Sequence, residues 1–410
     1  MGERTGPLRG VRVIDCTVAL AGPFGTAILA DLGADVIKVE PPGGDMSRGT
    51  PPFPENYTSL RKGPGPDDVD YGGYFASVNR NKRSIALDLK QGADRELLLK
   101  LCDQADVFVE NLRNGVMDRL GLSYEVLSAR NPKLVYGAIR GFGDERTGRS
   151  PYTDRPAFDV VAQAMGGLAS ITGPEGSDGS VCGASVGDLY PGTLMALGVV
   201  SAVLNARETG KGQFMDVAMY DSIMLLAETV VANYGFARRN LEPRGSHHPT
   251  LCPFGLFPAK DGSIAIAAPR PNQWEVLCAV IGRPDLVDDE RTKNTLVRRD
   301  NQQLVEGVIA EWTTRHTREE IVAALGDRVP CGPVNRAEDL FADPHVAARN
   351  MITELPVPGD DGPAAIVGCP LKFTDTPSGY YRAPPCFDEH RDEILSEIGL
   401  APGQKEHTAS

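Results

Sequence analysis

The stretch VRVIDCTVALAGPFGTAILADLGADVIKVE (11–40) decides the fold predicted for this chain. Its residue pattern favours a strand over 11–15, a short helix over 26–32 and a second strand over 34–40. A strand, a helix and a strand in this order form a βαβ unit, whose strands pair in parallel. We therefore expect an α/β fold with a doubly wound, Rossmann-like large domain, and further strands are predicted over 84–89, 106–111, 134–139 and 214–219.

The second half of the chain has a different pattern. A hairpin is predicted over 257–268 around Asp261-Gly262, and amphipathic helices are predicted over 274–281, 301–312 and 317–325. This order indicates a smaller α+β domain. The predicted organisation is a large domain over 1–225, a small α+β domain over 226–332 and a C-terminal segment over 333–410.

Composition narrows the classes of function. The 410 residues carry a net charge of −13, which argues against a general nucleic-acid binder because such proteins present a basic face. Eight cysteines are scattered without a C-x-x-C pair, so neither a zinc site nor a redox pair is expected, and no metal is predicted. No long apolar run and no basic-then-apolar leader is present, so we expect a cytoplasmic protein without a membrane partner.

The first βα turn (19–25) tests for dinucleotide binding. Glu40 ends the second predicted strand, where an acidic residue would bind ribose hydroxyls in a dinucleotide enzyme. The turn, however, lacks the G-x-G-x-x-G fingerprint that brings the backbone close to a pyrophosphate. The sequence therefore argues against NAD binding.

One carboxylate stands out in VCGASVGDLYPGTLMALGVVSAVLNARETGKGQFMDVAMYDS (181–222). Asp188 follows a run of small residues and precedes a turn signal, Pro191-Gly192, after which the apolar run 194–204 predicts a buried helix. Asp is a favoured helix N-cap residue, so Asp188 has a purely structural interpretation. The functional interpretation is a reactive carboxylate on a turn that small side chains leave open to a large substrate.

Basic residues cluster at the start of the third predicted strand. They have two interpretations, a solvated charged face or a set of phosphate contacts, and the local pattern does not choose between them. They are Arg80, Lys82, Arg83 and Lys90.

Several blocks of the chain, in the same order, resemble the family III CoA-transferases, a group that is related to alpha-methylacyl-CoA racemase. The segment VGDLYPG (186–192) with the residues after it carries the resemblance around Asp188. The other blocks are LAGPFGTAILADLGADVIKVEPPGGD (20–45), NRNKRSIALDLK (79–90), ADVFVENLRNGVMDRLGLSYEVL (105–127), CGPVNRAEDLFADPHVAARNM (331–351) and GCPLKF (368–373).

The resemblance implies that Asp188 is the nucleophile of an acyl-CoA:carboxylate CoA-transferase, which forms an aspartyl anhydride and then an aspartyl-CoA thioester. It implies acyl-CoA and a carboxylic acid acceptor as substrates, and no permanently bound cofactor. It also implies an interlocked homodimer, coenzyme A bound to the large domain, and a C-terminal segment that returns to that domain. The residues matching the family's CoA contacts are Leu20, Ala21, Leu87, Asp88, Leu89, Lys90, Asn111, Leu112, Arg113 and Arg119.

Two alternatives stay open beside transfer. The related racemases carry a histidine before an aspartate where this chain has Phe158 and Asp159, and phenylalanine cannot move a proton. This difference weighs against a 2-methylacyl-CoA racemase, while Asp159 is either an assisting group or a charge at a helix start. The other alternative is a CoA-binding protein without transfer activity, and the presence of Asp188 weighs against it.

Overall fold

The computed structural model describes residues 4–53, 71–357 and 360–400. The strands are β1 (Arg12–Cys16), β2 (Asp35–Glu40), β3 (Arg83–Ala86), β4 (Val107–Glu110), β5 (Val135–Arg140), β6 (Phe214–Ala218), β7 (Phe254–Ala259), β8 (Gly262–Ala267), β9 (Cys331–Pro333), β10 (Ile352–Val357) and β11 (Asp360–Val367). The α-helices are α1 (Ala21–Asp31), α2 (Gly73–Asn79), α3 (Gly92–Asp103), α4 (Val116–Arg119), α5 (Tyr124–Arg130), α6 (Asp159–Met165), α7 (Val186–Thr209), α8 (Met219–Leu226), α9 (Glu228–Ala237), α10 (Pro271–Val280), α11 (Thr295–Asp300), α12 (Gln302–Thr313), α13 (Arg318–Leu325), α14 (Ala337–Ala342), α15 (Pro344–Ala348) and α16 (Arg391–Glu397). Short 3₁₀ turns occupy Met46–Gly49, Ala169–Ile171 and Pro284–Leu286.

Six strands form one parallel sheet in the order β3-β2-β1-β4-β5-β6. Val13 of β1, for example, lies opposite Val36 of β2 on one side and Val107 of β4 on the other. The predicted α/β class is confirmed, and this strand order is the one found in doubly wound sheets. Because the order reverses between β1 and β4, a crevice opens at the carboxyl ends of these two strands.

The chain divides into two compact units. The first contains 1–166, 183–228 and 344–410, with the parallel sheet and the antiparallel pair β10-β11, and the second contains 167–182 and 229–343. In the second unit β7, β8 and β9 form an antiparallel sheet, and the predicted hairpin is confirmed because Ala259 pairs with Gly262 across it. The core of the second unit includes fully buried Leu277 and Ile309. The boundaries predicted from the sequence at 225/226 and 332/333 stay predictions.

Helix α7 runs unbroken from Val186 to Thr209, so the predicted turn at Pro191-Gly192 was wrong. Proline removes a single backbone donor early in this helix. Both residues are buried, and a Cβ on Gly192 would lie 2.4 Å from the carbonyl oxygen of Ala21 in α1. Close packing on α1 therefore outweighs the local turn preference.

By length and composition alone, α7 could cross a membrane. Its residues Met195, Val199 and Ala202 are instead buried in the first unit, where α7 packs against α1, α8 and β5. We therefore identify α7 as a core helix of the first unit.

Three of the four basic residues are buried in ion pairs, so both interpretations of Arg80, Lys82 and Arg83 were wrong. Their charged groups lie 2.6, 2.9 and 2.7 Å from the carboxylates of Asp31, Asp15 and Asp35 respectively. The acidic partners lie on α1, β1 and β2, far from the cluster in sequence, so no local pattern could reveal them. Lys90 differs from the others because it is exposed.

Candidate active site

A cavity of about 290 Å³ opens where the parallel strands end. Its walls come from the segments that follow β1 (18–21) and β4 (111–114), from the end of β5 and from the loop before α6 (153–158). Asp188, Met46 and Met219 complete the lining. The cavity therefore lies at the strand-order reversal, where open α/β sheets bind their ligands.

Asp188 is the third residue of α7, and the N-cap position belongs to Ser185. The interpretation of Asp188 as an N-cap was therefore wrong. Within the part of the chain that the structure describes, no hydrogen-bond donor reaches its carboxylate oxygens. Burial, and next the nearby charge of Asp159, raise the pKa of Asp188 from 3.8 to about 6. Burial and the repulsion between the two carboxylates disfavour the charged form of Asp188. A carboxylate with a pKa perturbed in this way is typical of a functional site.

Asp159 supplies the capping contact that Ser185 does not make. Its Oδ1 accepts a hydrogen bond of 2.7 Å from the backbone N–H of Gly187, and Gln163 donates its Nε2 to both Asp159 oxygens at 3.0 and 2.9 Å. A Cβ on Gly187 would lie 2.5 Å from the carbonyl oxygen of Asp159, so only glycine fits this approach. Asp159 thus fixes the backbone directly before Asp188.

Of the residues predicted to contact CoA, five line the same cavity as Asp188: Leu20, Ala21, Asn111, Leu112 and Arg113. Asn111 bonds the backbone of Val18 through both ends of its amide. Arg119 lies instead at a neighbouring polar depression that also holds five acidic residues, namely Asp118, Glu125, Asp144, Glu145 and Asp154. Leu87, Asp88, Leu89 and Lys90 follow β3 and do not line the cavity. The CoA contacts stay predictions.

Sequence reasoning missed Arg140, which ends β5 and lines the cavity. Its guanidinium pairs with buried Glu110, with Nη1 2.8 Å from Oε2, and its Nε donates to Asn114 Oδ1 at 2.6 Å. These bonds join the ends of β4 and β5 beneath the cavity. Arg140 is the last residue of a strand and precedes a Gly/Arg loop, and this position is the feature of the sequence that could have predicted it as a cavity residue.

Tyr74 of α2 was also missed. Burial raises the pKa of its phenol, and so do the charges of Asp188, Asp45 and Asp159, in that order. Tyr74 does not line the cavity, so its link to the site is electrostatic. The sequence around it carries no motif that would have singled it out.

Comparisons with known proteins identify the family to which the chain is similar. The model of a family described as "CoA-transferase family III" matches residues 8–391. Succinyl-CoA:mesaconate CoA-transferase of Haloarcula hispanica is 44% identical over 399 residues, which cover 97% of this chain and 98% of that protein. Succinate–glutarate CoA-transferase of Agrobacterium fabrum is 35% identical over 402 residues, covering 97% of each. The crystal structure of a CAIB/BAIF family protein from Brucella suis superposes with a TM-score of 0.82 at 32% identity, covering 96% of this chain and 100% of that one.

Proposed function

Since the chain belongs to CoA-transferase family III and is a CoA-transferase, we propose that it moves coenzyme A between dicarboxylic acids through covalent intermediates on Asp188. The observation that carries the proposal is a half-buried carboxylate with a pKa of about 6 in the wall of a cavity at the strand-order reversal. At neutral pH most Asp188 side chains are ionised, so the carboxylate is available as a nucleophile.

The first half-reaction begins when a carboxylate oxygen of Asp188 attacks the thioester carbonyl carbon of the donor. The C–S bond breaks, the electron pair leaves with CoA as a thiolate, and a mixed anhydride remains on Asp188. The thiolate then attacks the aspartyl carbonyl carbon of the anhydride, which releases the first acid as a carboxylate and leaves an aspartyl-CoA thioester. Each step keeps an activated acyl group, so the exchange of CoA between the two acids needs no external energy source.

The second half-reaction runs these steps in reverse with the acceptor acid. Its carboxylate attacks the aspartyl-CoA thioester and displaces the thiolate, which next attacks the acceptor carbonyl of the new anhydride. The product is the acceptor's CoA thioester, and Asp188 returns as a free carboxylate. Water would hydrolyse the anhydride, so the buried side chain of Met219 in the cavity wall assists by excluding it.

The charge around the cavity supports a dicarboxylic acid as the acyl group. Arg113 and Arg155 line the cavity with Asp188 and can pair with a second carboxylate, whereas Arg140 is already bonded to Glu110 and Asn114. The relatives named for mesaconate and glutarate both use a dicarboxylic acid. We propose succinyl-CoA as donor and an unsaturated or saturated short dicarboxylate as acceptor.

CoA is larger than the cavity, so only its thioester end fits beside Asp188. In this proposal Leu20, Ala21, Leu112 and Arg113 contact that end, as the family resemblance implies, and the positive charges of Lys90 and Arg119 pair with the phosphates outside the cavity.

A homodimer and a cytoplasmic location are part of the same proposal. Apolar side chains on the outer face of α7 support association, because Leu197 and Leu204 are 63% and 69% exposed. Light scattering on the purified protein tests the dimer, and a monomer at assay concentration would contradict it.

The proposal is tested with purified protein and succinyl-CoA against a panel of mono- and dicarboxylates. Wild type should form new CoA thioesters with dicarboxylates, whereas Asp188→Ala should lose transfer and still bind CoA. Asp221→Ala is the matched control, because this aspartate also has a raised pKa but does not line the cavity. Near-normal turnover by Asp188→Ala would exclude the proposed nucleophile.

A further inference from the structure

The turn between β1 and α1 forms the cavity wall, and side chains from distant strands hold its backbone in place. The carbonyl oxygen of Thr17 accepts a hydrogen bond of 3.0 Å from Lys38 Nζ. Val18 donates its N–H to Asn111 Oδ1 and accepts from Asn111 Nδ2, both at 2.8 Å. The N–H of Ala19 donates to Asp45 Oδ1 at 3.2 Å. Consecutive peptide groups are thus bonded to side chains rather than to other backbone groups.

The backbone conformation of Ala19 depends on these hydrogen bonds. Its φ is 64°, in the left-handed region that costs an L-residue free energy because Cβ crowds the following carbonyl. An alanine stays in this region only where the surrounding structure imposes it. The hydrogen bonds to Val18 and to the N–H of Ala19 are the contacts that do so.

The groups that hold the turn are themselves fixed. Lys38 and Asp45 are buried and their charged groups are 2.8 Å apart. The N–H of Asp45 donates to Glu40 Oε2 at 3.0 Å, and Ser47 donates both its N–H and its hydroxyl to Asp45 Oδ1. The turn therefore rests on buried groups at the end of β2 as well as on the residue that follows β4.

We propose that Asn111, with Lys38 and Asp45, is a positioning residue that holds Ala19 in the left-handed conformation and thereby sets the Leu20-Ala21 wall against Asp188. The proposal rests on the transfer reaction proposed above. It differs from the role that the family resemblance implies for Asn111, which is direct contact with CoA. Both ends of the Asn111 amide bond Val18, so its effect on the substrate passes through the turn.

The test compares Asn111→Ala with Asn111→Ala/Ala19→Gly. Loss of both Val18 bonds should lower kcat/KM about 10-fold for donor and acceptor alike, since each hydrogen bond contributes modestly and the turn relaxes. Glycine adopts a positive φ without a Cβ penalty, so Ala19→Gly should restore at least about 3-fold of the loss. A contact between Asn111 and CoA would not be restored by a change at residue 19.

Ala19→Val provides a second route that leaves Asn111 in place. A β-branched side chain disfavours the left-handed region strongly, so this variant alone should show a similar loss for both substrates. The control is Asn131→Ala, because Asn131 bonds the carbonyl oxygens of Cys102 and Ala105 in the same unit but does not line the cavity. It should lower stability without changing kcat/KM at a permissive temperature.

The outcomes separate this inference from the proposed function. Transfer by wild type and its loss in Asp188→Ala test the function, independently of any change at residue 111 or 19. With transfer established, an Asn111→Ala defect confined to the KM of the acyl-CoA and not relieved by Ala19→Gly would overturn the positioning role. Full activity of Ala19→Val would also overturn it.

Discussion

Replacing Asp188 with asparagine should stabilise the fold at neutral pH while it abolishes transfer. In the folded protein the pKa of Asp188 is raised from 3.8 to about 6, first by burial and then by the charge of Asp159. A raised carboxyl pKa means that the folded state disfavours the charged form that the unfolded chain accepts. This penalty is absent below pH 3.8, grows between pH 3.8 and about 6, and is fully present above that range.

The magnitude follows from the size of the pKa change. Each pKa unit corresponds to about 1.36 kcal/mol, so the rise sets an upper bound of about 3 kcal/mol. Part of the Asp188 side chain faces the open cavity, where solvent screens its charge, so we expect about 1–3 kcal/mol. Asparagine is neutral at every pH and nearly the same shape, so it removes the penalty with little loss of packing.

Urea unfolding of wild type and Asp188→Asn at pH 8 and at about pH 4 measures the effect. The variant should have the higher free energy of unfolding at pH 8, and the difference should shrink toward zero at the acidic pH. Asp221→Asn is the control, because Asp221 also has a raised pKa but is exposed, and it should change little. Equal stability of wild type and Asp188→Asn at pH 8, or a difference that does not vary with pH, would refute the reasoning.

Three further predictions concern the reaction itself. In wild type, kcat/KM should fall about 10-fold per pH unit below pH 6. Asp159→Asn should move this limb of the pH–rate profile to lower pH, because it removes a charge that raises the pKa of Asp188. A limb at the same pH in the variant would contradict this. Incubation of a 2-methylacyl-CoA in deuterated water should give no enzyme-dependent α-exchange by mass spectrometry, because Phe158 in the cavity wall cannot act as a base; rapid exchange would favour racemisation. Donor acyl-CoA alone should leave a hydroxylamine-sensitive adduct on the peptide that contains Asp188, and Cys182→Ser should retain it; its loss in that variant would make the cysteine the nucleophile.

The parallel sheet could be predicted from the sequence, because short strand patterns rich in Val and Ile alternate with helix patterns. Val13, Ile14, Val36 and Ile37 are all fully buried in the structure. The alternation of these runs with helices leaves few possible topologies. The position of the cavity then follows from the strand order, so most of its lining segments were predictable as the ends of strands.

The parts that could not be predicted depend on contacts between residues that are distant in sequence. The local pattern Pro191-Gly192 predicts a turn. The close packing of Gly192 on α1 is what keeps the helix continuous. The capping of Gly187 by Asp159 joins two helix starts that no periodicity connects. The same holds for Arg80, whose carboxylate partner Asp31 lies on another element.

The buried ion pairs at the start of β3 have a consequence for the protein in concentrated salt. Counter-ions screen exposed charges within about 3 Å at 1 M salt, but they do not reach Lys82 and Asp15, which are fully buried. The net charge of −13 is carried mainly at the surface, where its self-repulsion falls as ionic strength rises. Salt therefore relieves the repulsion that opposes folding and leaves intact the ion pairs that join β3 to its neighbours. The folding equilibrium shifts toward the folded chain as the salt concentration rises.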